Sequence, residues 1–339
     1  MYLVQQGKRK AKVAGTAWAA YGKGLAMADQ LEIVGIGMSV LDVLLRYRKI
    51  PTWERSSPLM EFRLAGGGNV ATAMVAASRL GARVGFISTE GNDEVADIKR
   101  RLLEKGGLDL SRMVVRDEPE DQVVAVYVDA ETGEMQFSGL KRYGSIQLRV
   151  DELDKDYILS ADYLHLDGHH FTAEMQAAQW MKEAGKTVML DIIKASSGRV
   201  ADRHIAMLPY VDVLISGAGV GKALTGRDDI YSAGRGVLEM GPRILVETVG
   251  LDGCYTITAD EAFHTPAFPV DVIDTTGAGD VFHGAYLIGL QHRWPLKQIA
   301  QFSSAVSALK CTRLGGRDGI PTMAEAIDFL RARGISLPK

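Results

Sequence analysis

The stretch of this chain most capable of chemistry is Asp274–Asp280, which reads Asp-Thr-Thr-Gly-Ala-Gly-Asp. Gly277 and Gly279 can adopt backbone angles that are closed to other residues, so several backbone N–H groups can point at one place. A helix predicted to begin near Asp280 adds the positive end of its dipole there. The stretch therefore predicts an anion-binding turn at Gly277, Ala278 and Gly279, with the carboxylate of Asp280 at its rim.

Transfer of a phosphoryl group to a hydroxyl needs both parts of this turn. Backbone N–H groups stabilise the charge that develops on the phosphate, and a carboxylate accepts the proton of the attacking hydroxyl. An acidic cap of an ordinary helix would explain Asp280 alone. It does not explain two threonines and two glycines at this spacing, so the spacing favours Asp280 as a general base.

A second polar stretch, Gly66-Gly-Gly-Asn69, opens a predicted helix. Gly67 and Gly68 allow close backbone approach to a small polyol, and Asn69 offers both a donor and an acceptor. Asp42 follows the first predicted strand, where its carboxylate can accept hydrogen bonds from two sugar hydroxyls. The alternatives are a flexible hinge for the glycines and a helix cap or surface charge for Asp42.

Other motifs are less specific. Thr248-Val-Gly250-Leu-Asp-Gly253 is a glycine-spaced turn that could form a second wall for a nucleotide. Gly35-Ile-Gly37 lacks the third glycine of a dinucleotide fingerprint, and Gly217–Lys222 resembles a phosphate-binding loop without the Ser or Thr that binds magnesium. Three histidines and an aspartate cluster at the end of another predicted strand: His165, Asp167, His169 and His170. We interpret them as lining or capping residues rather than as a metal site.

The composition narrows the class of protein. The chain has 339 residues, 47% of them hydrophobic, and a formal net charge of −3. These values are typical of one large globular α/β domain, and the charge gives no electrostatic reason to expect a nucleic-acid partner. No run of eighteen apolar residues occurs, so no membrane-spanning helix is predicted. The low cysteine count, Cys254 and Cys311 only, favours a reducing compartment, and we expect the cytoplasm.

Residues 1–26 differ from the rest of the chain. They carry five positive charges, no acid and no apolar core of the kind that a signal peptide has. The segment beginning at Met27 leads directly into a predicted strand. We therefore expect Met27 to be the natural start and residues 1–26 to lie outside the fold; a transit peptide is the less favoured alternative because serine is absent.

Most of the chain alternates between predicted strands and helices, the pattern of a parallel sheet covered on both faces. Strands are predicted at 31–37, 83–88, 163–166, 187–191, 212–216 and 244–249. Two further strands at 253–258 and 261–265 form a predicted antiparallel pair. The helices expected towards the end of the chain span 279–292, 296–311 and 323–333.

Two segments, 46–66 and 121–141, break this alternation and look like β-ribbons without covering helices. We expect them to form one small sheet, called the lid here, over the carboxyl edge of the main sheet, where ligands of α/β folds bind. The α/β core would then comprise residues 27–45, 67–120 and 142–339.

In this order the motifs resemble the ribokinase family of sugar kinases, also called the PfkB carbohydrate kinases, over residues 31–333. The resemblance is strongest at 67–82 and 274–284. It implies a three-layer α/β/α sandwich with a mostly parallel central sheet and a small β-sheet lid. It also implies phosphorylation of a hydroxyl of a small sugar or sugar derivative by ATP with Mg²⁺, and a monovalent cation, K⁺, near Asp274 and the 311–317 loop.

The resemblance also implies residue roles. Asp280 would be the base, and Gly277, Ala278 and Gly279 the anion hole. The sugar contacts would be Asp42, Gly67, Gly68 and Asn69. The nucleotide contacts would be Thr248, Gly250, Gly253, Thr276, Cys311 and Gly315.

Within the family, the ketohexokinase-like or sulfofructose-kinase-like branch is the most similar, through 67–69, 164–168 and the run from Lys310 to Ile320. The chain departs from common family patterns at three places. An Asn-x-x-Glu pattern linked to magnesium reads Gly217 and Val220, an Asp-x-Asn-x-Arg pattern begins at Asp191 but lacks the Asn and Arg, and a second asparagine is Thr72. The magnesium surroundings and the sugar therefore stay unassigned.

Two alternatives to a sugar kinase stay open. A nucleoside kinase of the same fold would need an aromatic base pocket in the lid, which Trp53, Phe62, Tyr127 and Phe137 could supply. A non-catalytic sugar sensor has no need of an intact Asp280. We also expect a homodimer through the lid, because one apolar face of a small sheet would otherwise be exposed. Lys141 and Arg142 could meet an anionic substituent or be solvated.

Overall fold

Fourteen strands and ten α-helices occur in the part of the chain that the computed structural model describes, residues 30–132, 134–142, 144–194 and 197–338. The expected extension 1–26 lies outside this part. The strands are β1 Ile33–Ile36, β2 Val40–Tyr47, β3 Leu59–Gly67, β4 Val84–Ile87, β5 Thr89–Glu90, β6 Val114–Val115, β7 Val123–Asp129, β8 Met135–Gly139, β9 Tyr163–Leu166, β10 Thr187–Ile192, β11 Val213–Gly217, β12 Ile244–Thr248, β13 Cys254–Ile257 and β14 Ala262–Thr265.

The helices alternate with these strands along the chain. They are α1 Asn69–Arg79, α2 Glu94–Lys105, α3 Lys155–Ser160, α4 Phe171–Glu183, α5 Asp202–Met207, α6 Val220–Thr225, α7 Ile230–Leu238, α8 Ala278–Gln291, α9 Leu296–Cys311 and α10 Met323–Arg331. Within the described residues, none of them is both long and apolar enough to cross a membrane.

The central sheet has eight strands in the order β14-β13-β12-β11-β10-β9-β1-β4. The six strands from β12 to β4 run parallel, and β13 and β14 add an antiparallel edge. The carboxyl ends of the parallel strands therefore meet at one edge, which is the usual ligand side of an open α/β sheet.

Both faces of this sheet are buried, as the alternation along β10 shows. Met189 packs into the hydrophobic cluster that contains α1, α8 and α9, whereas Val188 and Leu190 pack into the cluster that contains α4 and α7. Successive side chains of a strand point to opposite faces, so a strand with helices on both sides needs an apolar residue at every position. This requirement explains the short apolar runs of the sequence and produces three layers.

The lid is a second sheet of four strands in the order β3-β2-β7-β8. Strand β2 begins at Val40, six residues before the expected lid segment 46–66, so residues 40–45, which were expected in the α/β core, belong to the lid sheet. The run from Val40 to Leu45 is mostly apolar, which made it look like core. The run instead belongs to the lid, because β2 pairs with β3 on one side and β7 on the other.

Buried polar contacts hold the base of the lid to the core. The carboxylate of Glu120 forms an ion pair with Lys99 at 2.7 Å, and the two side chains are 0% and 1% exposed. Glu120 also accepts a hydrogen bond from the backbone N–H of Gln122, whose own side chain accepts one from the N–H of Ser39. Both chain segments that enter the lid, next to residues 39 and 122, are thereby fixed at one place.

Candidate functional site

The Asp274–Asp280 turn forms the start of helix α8, as its glycine content predicts. Gly277 caps the helix with φ of 73°, and a Cβ there would lie 3.0 Å from the carbonyl oxygen of Gly316. A Cβ on Gly279 would meet no atom within 4 Å. The first N–H groups of a helix have no acceptor inside the helix. The N–H of Ala278 donates to the carbonyl oxygen of Thr275 at 3.1 Å, whereas the space beside Gly279 is open, so an anion could bind there at the helix N-terminus.

Asp280 lies in the first turn of α8, among other carboxyl groups. Burial raises the pKa of Asp280 well above its ordinary value, and the carboxyl groups of Asp191, Asp167 and Asp42 raise it further. The guanidinium of Arg317 opposes these effects and lowers the pKa. A desolvated carboxyl group with a raised pKa is suited to accept a proton near neutral pH.

A cavity of about 230 Å³ lies in front of Asp280. This is the space of roughly eight liquid water molecules, since each takes about 30 Å³, and it suits a small polyol rather than a polymer. The residues of both predicted half-sites line it together: Asp42, Gly67, Gly68, Asn69, Gly277 and Asp280. Val124 and Phe137 of the lid contribute an apolar wall.

Asp42 lies on lid strand β2, not just past the first strand of the main sheet as the sequence suggested. The carboxylate approaches the end of β3 so closely that a Cβ on Gly67 would lie 2.3 Å from its Oδ2. Burial raises the pKa of Asp42 to about 6, and Arg317 acts in the opposite direction. Glycine at position 67 therefore leaves room for the Asp42 carboxylate at the cavity wall.

Asn69 begins helix α1, and its amide is held by a carboxylate of the main sheet. Its Nδ2 donates a hydrogen bond of 2.7 Å to Oδ2 of Asp191, at the end of β10. The preceding Gly68 has φ of 92°, and a Cβ on it would lie 2.3 Å from the carbonyl oxygen of Met38. Asp191 engages one of the two amide N–H donors and so fixes the orientation of the Asn69 amide, which leaves the amide oxygen and the second N–H to contact a ligand.

Arg317 is a site residue that the sequence analysis missed. Its Nη2 donates to the carbonyl oxygen of Gly67 at 2.6 Å, and its Nε donates to Oγ1 of Thr72 at 3.2 Å. Burial lowers its pKa to about 10, while Asp42 and Asp280 raise it. No spacing rule points to an arginine in the loop after α9, so only the folded chain shows that it lies beside both carboxylates.

The histidines near this edge are buried beneath the cavity. The rings of His165 and His283 are 5.4 Å apart, and burial lowers their pKa values to about 4 and about 3. Nε2 of His283 lies 4.0 Å from Oδ1 of Asp191. The lowered pKa values keep both rings neutral beside Asp191. Among the described residues no group of His, Cys, Asp and Glu is arranged to hold a metal ion.

A second cavity, of about 240 Å³, lies on the other side of the α8 turn. It is lined by Ala278 and Gly279 of that turn together with apolar side chains such as Phe268 and Val272. Four predicted nucleotide contacts also line it: Thr248, Gly250, Gly253 and Cys311. Two others do not, because Thr276 lines the first cavity and Gly315 lies behind the turn, where its N–H donates to Asp274.

The Gly217–Lys222 stretch begins helix α6, and a carboxylate already occupies its N–H groups. Glu247, on the neighbouring strand β12, accepts hydrogen bonds from the backbone of Gly219 at 2.6 Å and of Gly221 at 3.0 Å. The N–H groups of Gly219 and Gly221 are therefore engaged by Glu247 rather than free to bind a phosphate.

Every oxygen atom of Asp274 accepts a hydrogen bond from a donor of the chain itself. Its Oδ1 accepts from the N–H of Thr276 at 2.8 Å and its Oδ2 from the N–H of Gly315 at 2.7 Å. Its carbonyl oxygen accepts from Nζ of Lys310 at 2.8 Å. Although burial raises its pKa, these N–H groups and Lys310 hold the pKa of Asp274 below its ordinary value.

Comparison with known proteins gives concordant matches. The profile described as pfkB family carbohydrate kinase matches residues 30–323. A nucleoside kinase of Methanothermobacter thermautotrophicus is 25% identical over 91% of this chain and 98% of its own length. An ATP-dependent ribose-1-phosphate kinase of Halopiger xanaduensis is 27% identical, with 89% and 99% covered. A probable fructokinase-2 of Arabidopsis thaliana is 28% identical, with 80% and 88% covered.

Solved structures share the fold. A ribokinase from Thermotoga maritima superposes with a TM-score of 0.76 and 24% identity, covering 89% of this chain and 99% of its own. A putative ribokinase II from E. coli, in complex with ATP and Mg²⁺, gives a TM-score of 0.78 at 23% identity with the same coverage. The expected three-layer architecture with a mainly parallel sheet is thereby confirmed.

Proposed function

This chain belongs to the pfkB family of carbohydrate kinases, and on that basis we propose that it transfers the γ-phosphoryl group of ATP to a hydroxyl of a small sugar or sugar derivative. The observation that carries this proposal is the position of the α8 turn between two cavities. Gly277 and Asp280 line the cavity on the sugar side, whereas Ala278 and Gly279 line the other. A hydroxyl and a phosphate chain could thus meet at one helix N-terminus.

In the proposed reaction, Asp42 and the amide oxygen of Asn69 orient the sugar in the first cavity. Asp280 accepts the proton of the attacking hydroxyl, and backbone N–H groups at Gly277–Asp280 stabilise the charge on the transferred phosphoryl group. The lid excludes water, which limits hydrolysis of ATP. The nucleotide occupies the second cavity, beside Thr248, Gly250, Gly253 and Cys311.

Magnesium would neutralise the phosphate charges when ATP is bound. Among the residues at the expected place, Gly217 and Val220 offer no carboxylate, and Glu247 is engaged by two N–H groups. We therefore propose that Mg²⁺ is held mainly by phosphate oxygens and water, as is common for this ion.

The substitution Asp280→Asn tests the proposal. It should lower kcat by at least ~10²-fold, the effect typical of removing a general base. A matched control is Asp260→Asn, in the exposed turn between β13 and β14, which should leave the rate unchanged. Near-full activity of Asp280→Asn, with ADP release measured on the purified enzyme, would refute the assignment.

A nucleoside is the second candidate acceptor, because an aromatic side chain stands at the mouth of the sugar cavity. Phe137 lines this cavity and is 62% exposed, so a base could stack on it. The relative from Methanothermobacter is itself named a nucleoside kinase. Direct measurement of ADP release across sugars and nucleosides separates these acceptors, and sugar binding without ADP release would instead indicate a sensor.

We also propose a homodimer formed through the lid. Leu59 and Phe62 are exposed apolar side chains of β3, and the strand pairing places them on the lid face opposite to the one that carries Asp42 and Phe137. A second copy of the same sheet would cover them, since apolar surface of this kind marks an association site. Sedimentation should show a dimer, and a monomer at micromolar concentration would contradict the proposal.

The cytoplasm is the proposed location. Both cysteines, Cys254 and Cys311, are free thiols and buried, as is expected in a reducing compartment. Burial raises the pKa of both thiols, so neither is activated as a nucleophile.

A further inference from the structure

The expected monovalent cation does not fit the residues at Asp274. A cation there would need free oxygen ligands, and Asp274 is the acidic residue expected to supply them. Each of its carboxylate oxygens accepts a backbone N–H, and its carbonyl oxygen accepts a hydrogen bond from Nζ of Lys310. Hydrogen-bond donors of the chain, one of them an ammonium group, therefore contact the oxygen atoms that a metal ion would need as ligands.

Lys310 is an unusual residue in this place. It lies in the last turn of α9 with a side chain that is 0% exposed, although lysine is almost never fully buried unless it is paired. The carbonyl oxygen of the next residue, Cys311, accepts hydrogen bonds from the N–H groups of Ile273 and Asp274. The end of α9 is thus bound to the start of the base turn through both its backbone and the Lys310 side chain.

We propose that the Lys310 ammonium is the built-in cation of the Asp274 turn and that this enzyme works without K⁺. The proposal rests on the phosphotransfer function proposed above. A fixed ammonium group would hold Asp274, and with it Thr276 and Gly277, in the geometry that presents the backbone N–H groups of α8. It would do so permanently, whereas a bound ion depends on its concentration.

The charges around Lys310 agree with this role. Burial lowers the pKa of Lys310, whereas Asp274, Cys311 and Asp280 raise it. Among these charges Asp274 has the largest effect, and its carbonyl oxygen also accepts the hydrogen bond from Lys310. A second cation at this place would meet a like charge in a site with little solvent, which disfavours its binding.

The experiment compares the full-length wild type with three variants in buffer of constant ionic strength, in which tetramethylammonium is exchanged for K⁺. Lys310→Met removes the charge at similar length, Lys310→Arg keeps it, and Lys297→Met is a matched control on the exposed side of the same helix. The rate is followed by chromatography of ADP, because coupling enzymes can themselves need K⁺. The midpoint of thermal unfolding with and without K⁺ is a second readout that needs no activity.

For the wild type, Lys310→Arg and Lys297→Met, we expect a rate and an unfolding midpoint that do not respond to K⁺. Lys310→Met should lose roughly tenfold or more in rate, the size expected for a lost hydrogen bond to a charged group, and K⁺ should restore part of it and raise its unfolding midpoint.

A wild type that loses about tenfold in rate without K⁺, or that K⁺ specifically stabilises, would overturn the proposal, as would a fully active Lys310→Met that ignores K⁺. If Lys310→Met does not fold, the response of the wild-type rate and unfolding midpoint to K⁺ is sufficient to test the proposal. If no acceptor gives ADP, the proposed function fails, but the unfolding midpoint of the wild type still tests the cation.

Discussion

Replacing Arg317 by methionine should shift the pH dependence of the reaction, because this guanidinium lowers the pKa of both Asp42 and Asp280. Two unit charges about 6 Å apart interact by about 2.8 kcal/mol at an effective dielectric constant of about 20. That energy corresponds to about two pKa units. Arg317 is half-buried, so solvent screening makes the expected rise in the pKa of Asp280 smaller than this figure.

The sign follows from the role proposed for Asp280. A general base must be ionised to accept a proton, so activity falls as the pH drops through its pKa. Losing Arg317 raises that pKa and moves the acid limb of the profile to higher pH. Arg317→Met should therefore be most impaired at low pH and approach the wild type at high pH, and the pKa of Asp42, about 6 with Arg317 in place, should move in the same direction.

The assay is kcat/KM against pH for the wild type, Arg317→Met and Arg317→Lys. Because kcat/KM reports the free enzyme, its acid limb can be compared with the shifts described here. Arg317→Lys keeps the charge but loses the planar guanidinium, so its acid limb should stay near that of the wild type while KM rises. An unchanged acid limb in a folded Arg317→Met would refute the electrostatic argument and leave Arg317 only its contacts with Gly67 and Thr72.

Three other outcomes are expected. Gly66→Ala should displace the guanidinium of Arg317, since the new Cβ would lie 2.2 Å from its Nη1. The acid limb of its pH profile should therefore shift in the same direction as in Arg317→Met but by less, and a wild-type profile would contradict this prediction. Glu120→Ala should lower the free energy of unfolding by about 3–5 kcal/mol, because Lys99 loses its buried partner. Urea unfolding measures this loss, and a value below about 1 kcal/mol would contradict the prediction. Phe62→Glu should shift the lid dimer towards monomer in sedimentation.

The regular elements of the core were predictable because their signals are local. Helix α9 occupies the predicted range 296–311, and α1 begins at the predicted Asn69. In both cases an apolar face and a helix boundary residue lie close together in the sequence. The buried strands were equally clear, since strands covered on both faces need uninterrupted apolar runs.

The lid boundary and Arg317 were not predictable in this way. Residues 40–45 have the apolar character of a core strand, and only the pairing of β2 with β3 and β7 places them in the lid. Arg317 meets Gly67 across 250 positions of sequence. Contacts of this kind depend on the packing of distant segments, so no periodicity reveals them.

The nucleotide side was predicted in part. Thr248, Gly250, Gly253 and Cys311 line one cavity, because the turn after β12 and the end of α9 lie at the same edge. Gly315 does not, because its N–H is needed by Asp274. A resemblance between motifs predicts where a loop occurs in the sequence. The hydrogen bonds inside the loop decide which cavity each of its residues contacts, and the motif does not predict them.

The pairing of β2 with β7 has a consequence for how such an enzyme could acquire new acceptors. Asp42, Val124 and Phe137 all belong to the lid, whereas Asp280 and the N–H groups of α8 belong to the core. Apart from Asn69 of α1, the side chains that would contact the acceptor are thus carried on a different sheet from the groups that would perform the transfer. Substitutions in the lid strands could change the acceptor while the transfer machinery is inherited intact.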